Sequence, residues 1–173
     1  MIVLGIDPGL ASTGYGVVAS GARPGARARA GLTALDGGVI ETAPALAIER
    51  RLSEIHEAVG ALLDEHRPDA VALEQLYFGQ NARSAFAVGQ ARGAVLLAAG
   101  RRGVPCAGYT PQQVKAAVCG TGRAQKDQVA RMVTVLLGLL EQPLADHASD
   151  ALAVAICHAN RAPLSAALTG SAA

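Results

Sequence analysis

Three carboxylates and one histidine occupy positions from which they could bind divalent metal ions. Asp7 and Glu74 each end a short apolar run, whereas His147 and Asp150 stand three residues apart at the start of a longer one. Residues with that separation lie on the same face of a helix. Mg²⁺ and Mn²⁺ take hard oxygen ligands and usually keep water and substrate phosphate in their coordination shells. The four residues therefore predict a divalent-metal site suited to phosphodiester chemistry.

A pair of such ions is compatible with this ligand set. Two ions about 4 Å apart can hold both the attacking water and the leaving oxygen of a phosphodiester. Asp7 is the best candidate to bridge them, because a central strand would hold it rigidly, and Glu74 would bind one ion. We expect Asp146 to be the N-cap of the last helix. A second assignment, which the sequence leaves open, makes Asp146 and Asp150 the ligands.

The two lysines are exceptions in this chain, because the other thirteen of its fifteen basic residues are arginines. A lysine supplies a compact ammonium charge that an arginine does not replace. Lys126, and after it Lys115, could stabilise negative charge that develops at a scissile phosphate. With Arg83 and Arg123 they form the predicted contacts to a nucleic-acid backbone. The net charge of +1 does not by itself indicate such a partner.

The length of 173 residues predicts one domain over 1–162, followed by a tail of mostly small residues over 163–173. We expect no membrane span, because no apolar stretch approaches the required ~20 residues. The N-terminus lacks the basic segment that precedes the apolar run of a signal peptide. The cysteines, at 106, 119 and 157, form neither a disulfide pattern nor a zinc pattern. A cytoplasmic protein with reduced thiols is therefore expected.

The hydrophobic pattern predicts an α/β domain with a mixed five-stranded sheet flanked by helices. The predicted strands cover 1–7, 14–20, about 30–41, 69–74 and 104–109. The predicted helices cover 45–66, about 81–102, 111–118, about 125–140 and 147–160. The first three strands should be antiparallel, and the later ones should be parallel and joined by helical crossovers. Ligands gather at the carboxyl ends of parallel strands, so Asp7 and Glu74 would share one edge if their strands are neighbours.

The helix predicted at 81–102 is apolar around much of its circumference and contains Gly89 and Gly93, which allow close approach of another helix. A helix that is apolar on two sides must be buried on both. One side could meet its own sheet and the other a second copy of the chain, which would form a twofold dimer. The alternative is a central core helix in a monomer.

Several short motifs follow one another from Met1 to about Ala162 and carry a family resemblance. They are Gly5-Ile6-Asp7-Pro8-Gly9, Thr13-Gly14-Tyr15-Gly16, Leu73-Glu74-Gln75, Gln80-Asn81, Gly89-Gln90-Ala91-Arg92-Gly93, Pro111-Gln112-Gln113-Val114-Lys115, Lys126 and His147-Ala148-Ser149-Asp150-Ala151-Leu152-Ala153. In this order and spacing, the chain resembles the RuvC Holliday-junction resolvases of the RNase H-like superfamily. Each motif is weak alone, but the ordered set is specific.

The resemblance implies a homodimeric endonuclease that depends on Mg²⁺ or Mn²⁺, with two ions per site. It implies paired symmetric nicks in a four-way DNA junction, in DNA recombination and repair, and work alongside branch-migration motor proteins. The four catalytic and metal-binding positions of the family fall on Asp7, Glu74, His147 and Asp150. Its functional lysines fall on Lys115 and Lys126.

Two departures from the family pattern bear on the chemistry. Many members carry aspartate where this chain has His147, and a histidine suits Mn²⁺ better than Mg²⁺. A neutral His147 could instead act as a base or proton shuttle. The family places an aromatic residue, usually Phe, at the position of Tyr77, which here has Phe78 beside it. Either ring could stack on an unpaired base, a contact of about 1–3 kcal/mol, or pack onto the core.

Three other functions share part of this pattern. An ATP-binding domain of the actin and sugar-kinase type also opens with a strand followed by Asp-x-Gly, but we find no second phosphate loop. A non-catalytic junction-binding protein would be expected to lose a carboxylate, and all three are present. A nuclease acting on RNA–DNA hybrids remains an alternative that a cleavage test would decide.

Overall fold

The computed structural model describes residues 1–22, 30–75, 82–139 and 144–170, and the side chains within these ranges except at 22, 30, 82–84 and 163–170. Within these ranges, five strands form one sheet in the order β3-β2-β1-β4-β5. The strands are β1 Ile2–Asp7, β2 Ser12–Ala22, β3 Ala30–Glu41, β4 Ala70–Glu74 and β5 Cys106–Tyr109. The helices are α1 Ile48–His66, α2 Ala82–Arg101, α3 Pro111–Cys119, α4 Lys126–Leu137 and α5 Asp146–Gly170.

The sheet is mixed, as the hydrophobic pattern predicts. Strand β1 pairs with β2 in antiparallel fashion and with β4 in parallel, and β4 pairs in parallel with β5. Residues 3, 4 and 6 of the central strand β1 are fully buried, because helices cover both faces of the sheet there. Parallel strands need such cover, and their sequences are accordingly continuous apolar runs.

Alternate residues of the central strands supply two separate cores. Leu4, Ile6 and Leu73 pack on one face against α1 and α2. Val3 and Ala72 face the other side, where α3, α4 and α5 pack. Because side chains alternate along a strand, the side chains that end β1 and β4 point towards α5. No helix in the described ranges is both long and apolar enough to cross a membrane.

Three glycines let α5 lie directly on the sheet. A Cβ at Gly5 would overlap the carbonyl oxygen of Ala151, and a Cβ at Gly14 would overlap the carbonyl oxygen of His147. A Cβ at Gly16 would stand 2.6 Å from Leu152 Cδ2. The close packing brings the first turns of α5 onto the carboxyl end of β1.

The helix boundaries differ from the predicted ones where local capping decides them. Thr110 caps α3 with a capping box and Pro111 follows it, as its sequence predicts. Helix α4 ends at Leu137 and not at 140, because Gly138 takes a left-handed conformation (φ 70°) that closes the last turn. The smaller shifts in β2, α1 and β5 lie within the usual uncertainty of element ends.

Helix α5 is longer than predicted at both ends. It begins at Asp146, so the N-cap assignment for Asp146 is wrong and that position falls to Ala145, whose carbonyl accepts the N–H of Ser149. It also continues past 160 and through Pro163 to Gly170. Proline costs an interior hydrogen bond, but the alanine-rich segment around it has high helix propensity. The packing of this last part lies outside the described side chains.

Candidate metal centre

Asp7 and Glu74 end two neighbouring parallel strands, which places them at the same edge of the sheet. The register that pairs Ile6 with Leu73 makes them the next residues along β1 and β4. Burial raises the pKa of the Glu74 carboxyl, and the charges of Asp7 and Asp150 raise it further, while Lys115 and Lys126 lower it. Glu74 is therefore within electrostatic reach of two other carboxylates and two ammonium groups.

His147 contacts Asp7 across the boundary between α5 and β1. Its Nδ1 lies 2.9 Å from Asp7 Oδ2. The His147 side chain is 49% exposed and that of Asp7 is 23% exposed, so both can be reached from solvent. The close approach of α5 over Gly14 accounts for this geometry, because His147 lies on the turn that packs there.

Lys126 stands at the start of α4 and pairs with the other end of the cluster. Its Nζ lies 3.0 Å from Asp150 Oδ2 and 3.8 Å from Asp146 Oδ2. The hydrogen bond to Asp150 raises the pKa of the lysine. Asp146 is 86% exposed, whereas Asp150 is 29% exposed. Asp150 thus faces the cluster and Asp146 lies at its rim.

An open cleft of ≈ 250 Å³ joins the carboxylates to both lysines. Its lining residues are Glu74, Pro111, Val114, Lys115, Lys126, Val129, Asp150 and Ala153. Helix α3, fixed by its capping box, carries Lys115 to one wall, and α4 carries Lys126 to another. The lining combines two carboxylates, Glu74 and Asp150, with two ammonium groups, which is a combination of charges that suits a metal-bound phosphate.

The donor set fits a divalent cation, although the side chains do not enclose one. Within the described residues, no three His, Cys, Asp or Glu side chains are gathered closely enough to hold a metal ion as they stand. Asp7 is paired with His147, and Asp150 with Lys126. The carboxylate oxygens are nonetheless hard ligands. Burial is the largest cause of the raised pKa of Glu74 and the charges of Asp7 and Asp150 add to it, so a bound cation would favour the ionised carboxylate.

Comparison with known proteins identifies the family to which the chain belongs. The family model described as crossover junction endodeoxyribonuclease RuvC matches residues 3–158. The chain belongs to the RuvC family. The RuvC of Moorella thermoacetica is 50% identical over 164 residues, which cover 94% of this chain and 93% of that protein. The RuvC of Thermomicrobium roseum is 51% identical over 158 residues, 91% of this chain and 92% of that one.

A solved RuvC structure has the same fold. Thermus thermophilus RuvC matches with a TM-score of 0.86 and 42% identity, covering 95% of this chain and 97% of that one. A second T. thermophilus RuvC structure, in complex with a Holliday junction substrate, matches with the same TM-score over 96% of its chain. The RNase H-like α/β fold with a mixed five-stranded sheet is thereby confirmed.

Of the remaining predicted DNA contacts, the structure describes the side chain of Arg123 only. Arg123 is exposed in the loop before α4, three residues from Lys126. Arg83 belongs to the first turn of α2, and its side chain lies outside the described set. Tyr77 and Phe78 also lie outside the described residues, so their stacking role stays a prediction.

One polar contact at the site could not be found from motif chemistry. The guanidinium of Arg92 donates to the main-chain carbonyl of Glu74 at 2.7 Å. Arg92 lies in one of the segments that carry the RuvC resemblance. Its acceptor, however, is a backbone carbonyl, which every residue has, so the residue types do not identify the contact. The one relevant signal in the sequence is the position of a basic residue on a largely apolar helix.

Proposed function

We propose that this chain is a metal-dependent endonuclease that resolves four-way DNA junctions by paired symmetric nicks in recombination and repair. The observation that carries the proposal is that Asp7 and Glu74 share one sheet edge, with His147 Nδ1 2.9 Å from Asp7 Oδ2 and with Asp150 lining the same cleft as Glu74 and both lysines. Membership in a family of crossover junction endodeoxyribonucleases supplies the reaction class.

The proposed catalytic roles follow from the placement of the donors. Asp7, held by the central strand, Glu74 and Asp150 would bind Mg²⁺ or Mn²⁺ through carboxylate oxygens, and His147 through a ring nitrogen. Two bound ions would supply an activated water and neutralise charge on the phosphate. The rigid sheet edge and the glycine-mediated docking of α5 hold these donors in place.

Lys126 and Lys115 are proposed to act on the phosphate from the walls of the cleft. Lys126 is 62% exposed and its Nζ lies 3.0 Å from Asp150 Oδ2, so its ammonium can reach a phosphate that is bound beside Asp150. Such a charge stabilises the transition state only if it lies near the developing negative oxygen. Arg83, Arg123 and the aromatic pair at 77 and 78 are proposed to hold the flanking DNA strand.

Helix α2 supports the proposed homodimer. Ala91, Val95, Ala98 and Ala99 are fully buried against the sheet. The opposite side exposes large apolar side chains: Phe86 is 70% exposed, Leu97 57% and Leu96 38%. An apolar stripe of this kind favours a partner surface. A twofold pair of sites would match two symmetric nicks.

The branch-migration motors are proposed as further partners on the family resemblance alone. The cytoplasmic location is proposed from the DNA substrate and from the three cysteines, all of which are free thiols.

The test is a nicking assay on a synthetic four-way junction with Mn²⁺, Mg²⁺ or EDTA. A linear duplex and an RNA–DNA hybrid of matching sequence serve as parallel substrates. We expect paired symmetric nicks in the junction alone, lost with EDTA. Binding without cutting in any metal would refute the nuclease proposal. Preferential cutting of the hybrid would identify an RNA–DNA hybrid, and not a four-way junction, as the substrate.

A further inference from the structure

The carbonyl group of Glu74 lacks a donor from the sheet ladder for a reason visible in the sequence. Val71 and Gln75 donate their N–H groups to the carbonyls of Pro105 and Tyr109, on the side of β5, so the backbone of Glu74 faces β1. In the β1–β4 register, residue 8 is the next whose N–H could reach this carbonyl. That residue is Pro8, which has no N–H. The ladder therefore cannot satisfy the acceptor at the last residue of β4, and buried acceptors need a partner.

Arg92 supplies the missing donor from α2. Its Nη1 lies 2.7 Å from the Glu74 carbonyl oxygen. Burial lowers the pKa of this guanidinium, although an arginine stays charged in proteins. A hydrogen bond from a charged donor is roughly twice as strong as a neutral one. The backbone at the end of β4 is thus held by a contact stronger than the ladder bond that Pro8 removes.

The same guanidinium also lies against the end of β5. A Cβ added at Gly108 would stand 3.5 Å from Arg92 Nη2, an ordinary van der Waals distance, and 3.1 Å from Gln75 Cγ, which is a tight contact. Gln75 Nε2 donates to the Gly108 carbonyl at 3.4 Å. The chain that leaves β4 is therefore fixed on one side by Arg92 and on the other by β5.

Arg92 reaches Glu74 from the face of the sheet opposite the carboxylate. Its helix packs with Leu73 in the core beneath α1 and α2. The Glu74 side chain instead lines the cleft formed with α3, α4 and α5. The cation therefore holds the backbone of the residue without occupying the carboxylate oxygens.

We propose that Arg92 is a positioning residue, whose hydrogen bond to the Glu74 carbonyl sets where the Glu74 carboxylate stands relative to Asp7. The consequence for nicking rests on the function proposed above, but the consequence for metal binding does not. An outer contact that orients a ligand typically changes metal affinity or activity by about 10- to 100-fold.

The test compares Arg92→Met and Arg92→Lys with a matched control, Arg102→Met. Arg102 follows the same helix and donates two hydrogen bonds of 2.7 Å to Asp64, away from the site. Binding of Mn²⁺ alone is measured by electron paramagnetic resonance without DNA. Nicking is measured in single turnover and junction affinity by gel shift. We expect Arg92→Met to weaken Mn²⁺ binding and slow nicking by about 10-fold, with junction affinity unchanged. Arg92→Lys should recover much of both, and Arg102→Met should change neither.

A second-site variant separates this tether from any other role of Arg92. Pro8→Ala restores a backbone N–H at the position where the ladder would donate to Glu74. In the Arg92→Met background it should recover part of the Mn²⁺ affinity. Unchanged Mn²⁺ binding in Arg92→Met would overturn the inference, and so would a parallel loss of junction affinity, which would mark a DNA contact. If Arg92→Met fails to fold, Arg92→Gln decides in its place, because its shorter neutral side chain cannot make the charged contact: Mn²⁺ affinity equal to wild type contradicts the tether, and a lower affinity supports it. If the wild-type chain nicks nothing, the proposed function fails while the Mn²⁺ comparison still decides this inference.

Discussion

The imidazole Nδ1 of His147 lies 2.9 Å from Asp7 Oδ2, although 140 residues separate the two in the chain. The contact joins the carboxyl end of the central strand to the first turn of α5. Its neighbours on either side are Glu74 on the next parallel strand and Asp150 one turn along the helix. The proposed centre therefore lies where β1, β4 and α5 meet. The effect of a single side chain on nicking can be measured separately from its effect on the stability of the fold.

Replacing Asp7 with Asn should abolish nicking while junction binding persists. The substitution removes a carboxylate ligand but leaves the lysines of the cleft rim. We expect the rate to fall by at least about 10³-fold, which corresponds to an increase of ~4 kcal/mol in the activation barrier. Asp69→Asn is the control, because Asp69 accepts the Ile2 N–H at the opposite end of β1, at 2.6 Å. Nicking that survives in Asp7→Asn would show that the centre lies elsewhere.

Replacing His147 with Asp should shift metal preference from Mn²⁺ towards Mg²⁺. An imidazole nitrogen is a softer ligand than a carboxylate oxygen, and Mg²⁺ favours oxygen. Nicking rates across a titration of each metal would measure the shift. An unchanged profile would remove His147 from the ligand set and leave the proton-shuttle role.

Replacing each of the two aspartates that contact Lys126 with Asn should change the nicking rate by different amounts. Asp150→Asn should slow nicking by about 100-fold or more, the scale of a lost ligand or orienting group. Asp146→Asn should change the rate by no more than about threefold, because its 86% exposed carboxylate stands 3.8 Å from the lysine. Single-turnover rates at saturating metal provide the comparison. Comparable losses in the two variants would favour the alternative in which Asp146 and Asp150 are both ligands.

Gly14→Ala should destabilise the fold and the site together. The new methyl group would overlap the carbonyl oxygen of His147, so α5 would have to move off β2. Overpacking of this kind costs about 1–3 kcal/mol, occasionally more. Gly21→Ala is the matched control on the same strand, because nothing lies within 4 Å of its added Cβ. Urea unfolding would measure both, and equal midpoints would contradict the close docking.

Acid should destabilise the chain partly through His158. This residue is 9% exposed, and its Nδ1 lies 2.8 Å from the Tyr109 hydroxyl. Burial lowers its pKa below the ordinary 6.5. The unfolded state therefore binds a proton that the folded state does not, so the contribution is full above 6.5 and is lost as the pH falls through the folded pKa.

The measurement for His158 is the free energy of unfolding in urea between pH 8 and pH 5. Wild type should lose more stability towards acid than His158→Gln, whose side chain does not titrate. Parallel pH profiles for the two chains would contradict the assigned cause.

The sequence predicts that Asp7 and Glu74 share one edge of the sheet, because strand ends are marked by composition, and the register of β1 and β4 confirms this placement. Asp7 and Glu74 each follow an apolar run, and a parallel pairing of the two runs is enough to bring them together. His147 and Asp150 follow from helical spacing. The capping detail is not predicted: Asp146 lies inside the helix, and the carbonyl of Ala145 accepts the N–H of Ser149.

The contact between Arg92 and Glu74 could not be predicted, because it depends on the tertiary placement of α2 over the end of β4. Its only local cause is Pro8, whose missing N–H matters once the register is known. The continuation of α5 through Pro163 is a similar case, in which helix propensity over several residues outweighs one breaker.

The 140-residue separation between Asp7 and His147 also sets when the proposed nuclease can become active during its own synthesis. Domains fold as units while the ribosome elongates at about 5–20 residues per second. Strand β1 emerges first, but its aspartate has no partners from α5 until residue 150 has left the exit tunnel. A nascent chain that stalls before α5 would therefore display Lys115 and Lys126 without a completed centre, and cutting activity would appear only in chains whose first turns of α5 have emerged.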